Sequence, residues 1–408
     1  MEGSDIMKYK LLSSLYYSDK QLYEETYNSR YNSESTYKFN FKIKNNNAFV
    51  IINNDILSKI STILSLDKEL LIASSYVPPI ALSEYQQTCL IDEIRMTNEI
   101  EGVNSTRKEI SDILNDKKNE NPNKRLFGIV KKYEMLLEDS DLDLSSCKSI
   151  RSLYDELTLT DIINENPQHA PDGDIFRKEK VYVYNKHQKV LHTGLTPELE
   201  IIESMSQALD ILNNDNYNFL IRIAVFHYLF GYIHPFYDGN GRTSRFISSY
   251  LLSKQLESLV SYRIAYTIKN NINKYYKSFE ICNDEKNKGD LTPFVLTFFD
   301  FIIKSMKELS SNLIDKCEKF SHYSEIAYNI FDSDEKLSRI SYIFVQNALF
   351  SDDGLSINEL VYHSDYGIST VRKKIKILEK LELLESYKSG NKNIYSMNLE
   401  KLEKLENI

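Results

Sequence analysis

The segment His234-Pro-Phe-Tyr-Asp-Gly-Asn-Gly-Arg-Thr-Ser-Arg245 contains the most specific pattern in the chain. The preceding run, residues 219–233, is mostly apolar, which predicts a buried helix that ends in a short loop. Gly239 and Gly241 lie in that loop, and a second helix is expected to begin at about Arg242. Such a loop presents bare backbone N–H groups and the positive end of the helix dipole. The segment therefore predicts a site for an anion such as phosphate.

Four side chains of this segment are suited to chemistry on a phosphate. Arg242 and Arg245 are three residues apart, so both leave the same side of the second helix toward one anion. Asp238 is the one carboxylate of the loop and suits Mg²⁺, which usually takes one or two carboxylates beside substrate oxygens. His234 is suited to taking a proton from a hydroxyl near pH 7. A plain capped helix–loop–helix with solvated arginines would not require all of these groups together.

The segment resembles the Fic family of nucleotidyltransferases, because it matches the family pattern His-Pro-Phe-x-Asp-Gly-Asn-Gly-Arg-x-x-Arg at every fixed position. The resemblance extends over residues 83–315. It implies transfer of AMP from ATP to a hydroxyl of a target protein, with release of pyrophosphate. Family members with Lys in place of the second glycine can phosphorylate instead. This chain keeps Gly241, so the resemblance favours AMP transfer.

The resemblance also implies a role for each residue of the site. His234 would be the general base, Asp238 would hold Mg²⁺ on the α- and β-phosphates, and Phe236 would anchor the loop. The residues expected to bind ATP are Gly239, Asn240, Gly241, Arg242, Arg245, Tyr276 and Asn283.

Two of these ATP contacts depend on a more distant helix. Tyr276 and Asn283 are seven residues apart and share one helix face, from which they would stack on adenine and bond its edge. The alternative is a surface aromatic and a helix-end amide. Residues 284–288 depart from the compact family pattern and could shift the end of this helix.

A β-hairpin is predicted over residues 180–193, similar in position to the family's target-binding flap. Such flaps bind an extended target segment by strand addition, so backbone groups carry most of the recognition. His227, seven residues before His234, is expected to be a buried packing histidine rather than a catalytic one.

An inhibitory motif is expected at Thr97-Asn-Glu-Ile-Glu101-Gly102, at the end of a helix over residues 83–102. It resembles the family's Ser/Thr-x-x-x-Glu-Gly motif. Thr97 and Glu101 share one helix face, and Gly102 allows the helix to end. The resemblance implies that Glu101 pairs with Arg245 and displaces the γ-phosphate of ATP. The alternative is an exposed helix-end acid.

The fold class predicted is mainly α, with a Fic-type helical core, a small hairpin and a C-terminal winged helix-turn-helix. The expected domains are an N-terminal accessory region (1–82), the core (83–318), a linker or connecting helix (319–335) and the winged helix domain (336–408). Strand-like runs occur at 39–44 and 48–52, and a short helix is expected over 55–66. A capping box at Thr106 and Glu109 opens a further helix. Core helices are predicted at 124–138, 144–157, 197–213, 217–232, 243–256, 270–283 and 291–315.

The third helix of the C-terminal domain carries a basic cluster at Arg372, Lys373, Lys374 and Lys376. Residues 335–408 nevertheless hold 11 basic and 11 acidic side chains, whereas DNA-binding domains usually show a basic excess. Protein contact or dimerisation is therefore favoured for this domain, and DNA binding stays open.

Composition excludes several classes of protein. The chain has 408 residues, 12 Gly and 8 Pro, which excludes collagen-like and Pro-rich material, and its net charge of −9 argues against a chain coated in nucleic acid. The four cysteines form no C-x-x-C pair, so free thiols in a reducing compartment are expected. No secretory signal and no membrane span are recognisable, which predicts a cytoplasmic protein.

Three functions follow as hypotheses. The first is a protein adenylyltransferase that uses ATP and Mg²⁺, modifies a target protein and itself, and is autoinhibited by Glu101. The second is a hydrolase that removes AMP with the help of Glu101. The third is a DNA-binding regulator whose core senses nucleotide. A homodimer stays open, and no membrane partner is expected.

Overall fold

The computed structural model describes residues 9–115, 121–138, 140–184, 190–389 and 392–406. The predicted fold class, mainly α with few small strands, is confirmed. The helices are α1 (Leu12–Ser18), α2 (Lys20–Tyr31), α3 (Asn54–Ser75), α4 (Pro79–Ile100), α5 (Arg107–Asn115), α6 (Phe127–Glu134), α7 (Cys147–Tyr154), α8 (Thr160–Glu165), α9 (Glu198–Leu212), α10 (Phe219–Ile233), α11 (Asn240–Ser253), α12 (Ile264–Asn270), α13 (Ile272–Asn283), α14 (Thr292–Phe331), α15 (Glu335–Phe350), α16 (Ile357–Ser364), α17 (Ile368–Lys380) and α18 (Leu399–Glu406).

The strands form three small antiparallel sheets. They are β1 (Thr36–Ile43) with β2 (Asn46–Ile51), β3 (Tyr182–Tyr184) with β4 (Val190–Thr193), and β5 (Leu355–Ser356), β6 (Leu384–Ser389) and β7 (Lys392–Met397) in the order β5–β7–β6. A π-helical turn at Asp155–Leu159 joins α7 to α8.

The chain divides into two compact units. The first comprises residues 1–67 and 90–306, and the second comprises residues 68–89 and 307–408. The predicted domain boundaries lie at other positions than the limits of these two units, and they stay a prediction. Residues 319–331 of the expected linker are the last turns of α14.

Helices α10 and α11 form the centre of the first unit. Nearly every side chain of α10 is buried, as its apolar sequence predicts, and the side chain of Asn218 caps its first turn by accepting from the Leu220 N–H. Phe236 is buried in the loop between the two helices and stacks on Tyr154, with ring centroids 3.6 Å apart. This packing fixes the loop against the π-helical turn.

Helices α1 and α2 were not expected from the sequence. Their tyrosines pack around Phe49 of β2, so tertiary contacts rather than a simple apolar period stabilise them. The buried Asp290 carboxylate accepts hydrogen bonds from the Tyr9 hydroxyl at 2.5 Å and from Arg30 at 3.3 Å. The Lys286 carbonyl accepts from the Tyr23 hydroxyl at 2.9 Å. The departure over residues 284–288 therefore forms a docking point for the N-terminal segment.

Several other predicted elements have different bounds. The helix expected from residue 83 begins at Pro79, because proline is well tolerated in the first turn of a helix. The helix expected over 55–66 continues to Ser75, three residues before the next helix-breaking residue, Pro78. The capping box is confirmed: Thr106 N–H donates to the Glu109 carboxylate at 2.9 Å, and Glu109 N–H donates to the Thr106 hydroxyl at 3.2 Å. The expected hairpin turn, residues 185–188, lies outside the described residues.

The second unit contains the element order expected of a winged helix-turn-helix. Helix α15 precedes the short strand β5, α16 and α17 follow, and β6 and β7 form the two-stranded wing. A capping box formed by Ser356 and Glu359 opens α16. Three residues, Asp365 to Gly367, separate α16 from α17. The winged-helix assignment itself stays a prediction, and Gly390 at the wing tip lies outside the described residues.

The four cysteines are free thiols in the described structure, as expected. Within the same residues no helix is both long enough and apolar enough to cross a membrane.

Candidate active site

His234 ends α10 in a left-handed backbone conformation, with φ of 53°. That conformation turns the chain sharply, so the histidine ring lies at the mouth of the loop that leads to α11. Burial, with a smaller contribution from the neighbouring His192, lowers the pKa of His234 to about 4. The ring is therefore neutral at pH 7. Its Nδ1 lies 3.4 Å from the Gly231 carbonyl, and a proton held there leaves Nε2 as an acceptor.

Gly239 begins the second helix with φ of +76°, a value that favours glycine. A Cβ at this position would also lie 2.8 Å from Ile162 Cδ1, so the loop has no room for a side chain. The Asn240 side chain closes the loop by accepting from Phe236 N–H at 3.0 Å and donating to the Phe236 carbonyl at 2.8 Å. The Asn240 side chain thus shapes the turn through its two hydrogen bonds to the Phe236 backbone.

Arg242 is buried with only 1% of its surface exposed, and among the described residues its Nε and Nη2 atoms have no hydrogen-bond partner. The nearest carboxylate oxygen, Asp238 Oδ1, lies 3.8 Å from Nη2. A buried guanidinium with unused donors is costly unless an anion satisfies it. The first turn of α11 is therefore built to receive a bound anion.

Arg245 has its donors occupied by the end of α4. Its Nε donates to the Thr97 hydroxyl at 2.8 Å, and its Nη2 donates to the Thr97 carbonyl at 3.0 Å and to Glu101 Oε1 at 2.6 Å. Burial opposes the charge of Arg245, but the Glu101 carboxylate outweighs burial and raises the pKa of the guanidinium. Gly102 follows with φ of +78° and ends the helix, as predicted.

Glu101 also occupies space beside the loop. A Cβ added at Gly241 would collide with the Glu101 carboxylate and would lie 2.7 Å from Arg245 Nη1. The absence of a side chain at residue 241 is thus what allows Glu101 to enter. Glu99, two residues earlier, is on the surface and pairs with Lys269 at 3.1 Å.

Asp238 satisfies the requirements of a single carboxylate ligand beside a polyphosphate. Its side chain is 36% exposed, and Oδ2 has only His169 Nδ1 nearby, at 3.8 Å. Among the described residues no group of three or more His, Cys, Asp or Glu side chains converges as a complete metal site. Mg²⁺ held by one protein carboxylate and by substrate oxygens needs no such group, so the residues present fit it.

Comparison with known proteins shows which family this part of the chain is similar to. Residues 147–252 match the Fic/DOC family. The chain contains a Fic domain. The protein adenylyltransferase fic-1 of Caenorhabditis elegans is 26% identical over 170 residues, which cover 40% of this chain and 30% of that protein. The protein adenylyltransferase Fic of Drosophila willistoni is 31% identical over 160 residues, or 37% of this chain and 29% of that protein.

The chain therefore spans about 30% of the length of the curated relatives that it matches. Among solved structures, a Fic family protein from Desulfovibrio desulfuricans G20 covers 85% of this chain and 97% of its own. Its TM-score is 0.51 at 19% sequence identity, which shows a shared fold.

The two residues expected at the adenine pocket of the Fic domain, Tyr276 and Asn283, have different surroundings from each other. Tyr276 is 36% exposed and near Glu101, whose charge together with burial raises the pKa of its phenol. Asn283 Oδ1 accepts a hydrogen bond from the Tyr228 hydroxyl at 2.6 Å. That oxygen is therefore engaged with α10 in the described structure. Both adenine contacts stay predictions.

Arg177 was not predicted from the sequence, and its side chain holds the loop between α10 and α11 in place. It is fully buried and donates to the carbonyl oxygens of His234 at 2.9 Å, Glu179 at 2.6 Å and Leu195 at 2.9 Å. One guanidinium thus joins the loop to both ends of the hairpin. Its partners are far apart in sequence, so no local pattern marks it. Burial lowers its pKa.

His192 of β4 was also missed. Its Nε2 lies 2.6 Å from the Tyr232 carbonyl, and burial lowers its pKa. The hairpin is thereby tied to the last turn of α10, one residue from its end. The predicted packing role of His227 is confirmed: its two ring nitrogens lie 2.8 Å from the Ser248 and Tyr275 hydroxyls.

Proposed function

We propose that this chain is a protein adenylyltransferase that transfers AMP from ATP to a hydroxyl of a target protein and of itself. The observation that carries the proposal is the juxtaposition of two groups in one loop. A neutral, half-buried His234 stands at its start, and a buried Arg242 whose Nε and Nη2 donate to no described residue stands at its end. The first group takes a proton and the second binds an anion. The named activity of the curated relatives supports the same chemistry.

In the proposed reaction the target hydroxyl oxygen attacks the α-phosphorus of ATP. The new bond is the P–O bond to the target, and the bond from the α-phosphorus to the bridging oxygen of the β-phosphate breaks. The hydroxyl proton passes to His234 Nε2, and pyrophosphate leaves with its charge bound by Arg242 and by the backbone N–H groups at Gly239 to Gly241. Positioning and charge stabilisation thus supply most of the rate.

Asp238 would hold Mg²⁺ through its partly exposed carboxylate. When bound, the ion would neutralise phosphate charge. The hairpin of β3 and β4, whose ends are held by Arg177, would receive the target segment by strand addition. The chain is proposed to act in the cytoplasm.

Glu101 is proposed to restrain this activity. Its carboxylate holds Arg245, which would otherwise bind the γ-phosphate. Arg245 is 1% exposed and the Glu101 side chain 26%, so water screens the pair only partly. ATP that enters this site would bring its γ-phosphate toward a carboxylate, and like charges so close disfavour the productive pose.

The test of the chemistry uses the Glu101→Gly chain incubated with ATP labelled at either the α- or the γ-phosphate. We expect incorporation of the α-label only, and we expect Glu101→Gly combined with His234→Ala to lose it by about 10²- to 10⁴-fold. His322 is exposed and remote from the loop in sequence, so His322→Ala in the same background is the matched control. Incorporation of the γ-label, or full activity without His234, would refute AMP transfer by this base.

Removal of AMP from a modified target is a second candidate, and one contact favours it. Glu101 bonds Arg245 through Oε1, and Oε2 has no hydrogen-bond partner in the described structure. That oxygen is free to position a water molecule. Release of AMP from modified protein by the wild type, and its loss in Glu101→Gly, would support this candidate over simple inhibition.

A further inference from the structure

Helix α17 of the second unit has a basic exposed face. Its buried side comprises Val371, Ile375 and Leu378, which pack into the unit. The opposite side exposes the basic side chains Arg372, Lys373, Lys376 and Lys380, and Glu379 is the one acid of the helix. The domain therefore has equal numbers of basic and acidic side chains, but several of its basic side chains are concentrated on one face of α17.

The cations of this face lack partners. Arg372, Lys373, Lys376 and Lys380 make no hydrogen bond or ion pair with any described residue, whereas Lys374 on the same helix pairs with Asp334. We call these four the α17 basic face. Lys388 and Lys392, on the two strands of the wing, are also exposed and without an ion-pair partner among the described residues.

Several acids of the unit are engaged away from this face. Glu359 closes the capping box of α16, Glu385 accepts from Asn398 at 2.8 Å, and Glu382 pairs with Lys401 at 3.4 Å. Three further acids lie on α18. Glu379 lies within the face, next to Lys380, and Asp365 and Glu382 flank the helix, so the face carries four exposed cations against one exposed acid.

The dimensions of this face match a groove of duplex DNA. A helix with its side chains is about 10–12 Å in diameter and fits the major groove, which is roughly 12 Å wide, and residues 372–380 supply about 12 Å of basic helix along it. Ser369, at the start of α17, is exposed and supplies a hydroxyl where recognition helices contact base edges. Lys388 and Lys392 lie on either side of the wing tip, where they would contact the sugar–phosphate backbone.

We propose that the α17 basic face binds duplex DNA, with α17 in the major groove and the wing against an adjacent backbone. Phosphates would supply the counter-charges that this chain does not. A second copy of the chain fits the face poorly, because a symmetric contact would bring the same cations together. Ile368 and Ile377 of α17 and Leu381 just after it are the apolar residues of the exposed side, and each is 37–45% exposed.

The test measures fluorescence anisotropy of a labelled random-sequence duplex of about 20 base pairs, two helical turns, titrated with the full chain over a range of salt concentrations. The variant is Lys373→Ala, Lys376→Ala and Lys380→Ala combined. The control is Lys148→Ala, Lys307→Ala and Lys404→Ala combined, which removes three exposed lysines from other helices and gives the same net charge.

We expect the wild type and the control to bind with a steep salt dependence. The α17 variant should bind at least tenfold more weakly, and its slope of log affinity against log salt should fall by about 3, since each lost phosphate contact removes about 0.9. Thermal unfolding should not change, because all three side chains are exposed. AMP incorporation in the Glu101→Gly background should also persist, which separates this inference from the proposed function.

Three results would overturn the inference. One is the absence of salt-dependent binding by the wild type, and another is an equal loss in the control variant. The third is a dimer in sedimentation that the α17 variant dissociates, since the face would then be a contact between copies.

Discussion

Glu101, Arg245 and Gly241 form one interlocked cluster at the residue scale. Glu101 Oε1 lies 2.6 Å from Arg245 Nη2 and occupies the space that a side chain at residue 241 would fill. The same glycine would be needed to let a phosphate approach the backbone. A single small residue would therefore serve both the proposed inhibitor and the nucleotide, and the two uses would exclude each other in space.

Gly241→Ala should destabilise the wild-type chain by about 1–3 kcal/mol, the range for forcing an extra methyl into a packed site. In the Glu101→Gly background the cost should be smaller, because the carboxylate that the new Cβ meets is gone. The measurement is a double-mutant cycle of unfolding free energies in denaturant. Equal costs in the two backgrounds would show that Glu101 does not occupy the described position.

His227 provides a prediction for pH. Burial lowers its pKa to about 3, whereas in the unfolded chain it is about 6.5. The unfolded state therefore binds the proton more tightly, so stability present above pH 6.5 is lost as pH falls toward 3. This one group should cost about 2 kcal/mol between pH 7 and pH 5.

His227→Gln, which keeps polar atoms between Ser248 and Tyr275, should lose about 2 kcal/mol less over the same interval than the wild type. The measurement is denaturant unfolding of both chains at pH 7 and pH 5. Contributions from other groups, including Glu93, cancel in the comparison. An identical pH dependence would contradict a neutral, buried His227.

At the scale of elements, α4 is held by a buried carboxylate eight residues before Glu101. Glu93 accepts from the backbone N–H of Ala265 at 2.7 Å and of Tyr266 at 3.1 Å, which fixes α4 to the start of α12. Burial raises the pKa of Glu93 to about 7, against the effect of these hydrogen bonds. The helix end that carries Glu101 therefore has a fixed position.

Glu93→Leu should destabilise the chain by about 2–5 kcal/mol, because two buried N–H groups lose their acceptor. Glu93→Gln keeps an accepting oxygen in the same place and should cost clearly less. Denaturant unfolding of the two variants at pH 7 measures the difference. A Leu variant as stable as the Gln variant would show that these hydrogen bonds do not hold α4.

Elements whose signals are local could be predicted from the sequence. The loop between α10 and α11, the capping box at Thr106 and the end of α4 at Gly102 each depend on residues a few positions apart. Arg177 could not be predicted, because its three acceptors lie up to 57 residues away. Helices α1 and α2 were missed because their tyrosines become a core only against β2.

At the scale of the whole molecule, the family match covers residues 147–252 and therefore the loop between α10 and α11. Glu101 lies outside that match, as do α17 and the wing. The case for restraint and the case for DNA binding thus depend on contacts and charges in this chain. The two proposals concern different compact units and are tested independently.

The measurement that tests restraint most directly is the initial rate of AMP incorporation from α-labelled ATP into wild type, Glu101→Gly and Glu99→Gly. Each ~1.4 kcal/mol of relieved repulsion gives a factor of ten, so Glu101→Gly should be about ten- to a thousandfold faster than wild type. Glu99→Gly removes an acid from the same turn that pairs with Lys269 on the surface, and its rate should equal that of wild type. Equal rates for wild type and Glu101→Gly, or an equal rise in Glu99→Gly, would contradict inhibition by the Glu101–Arg245 pair.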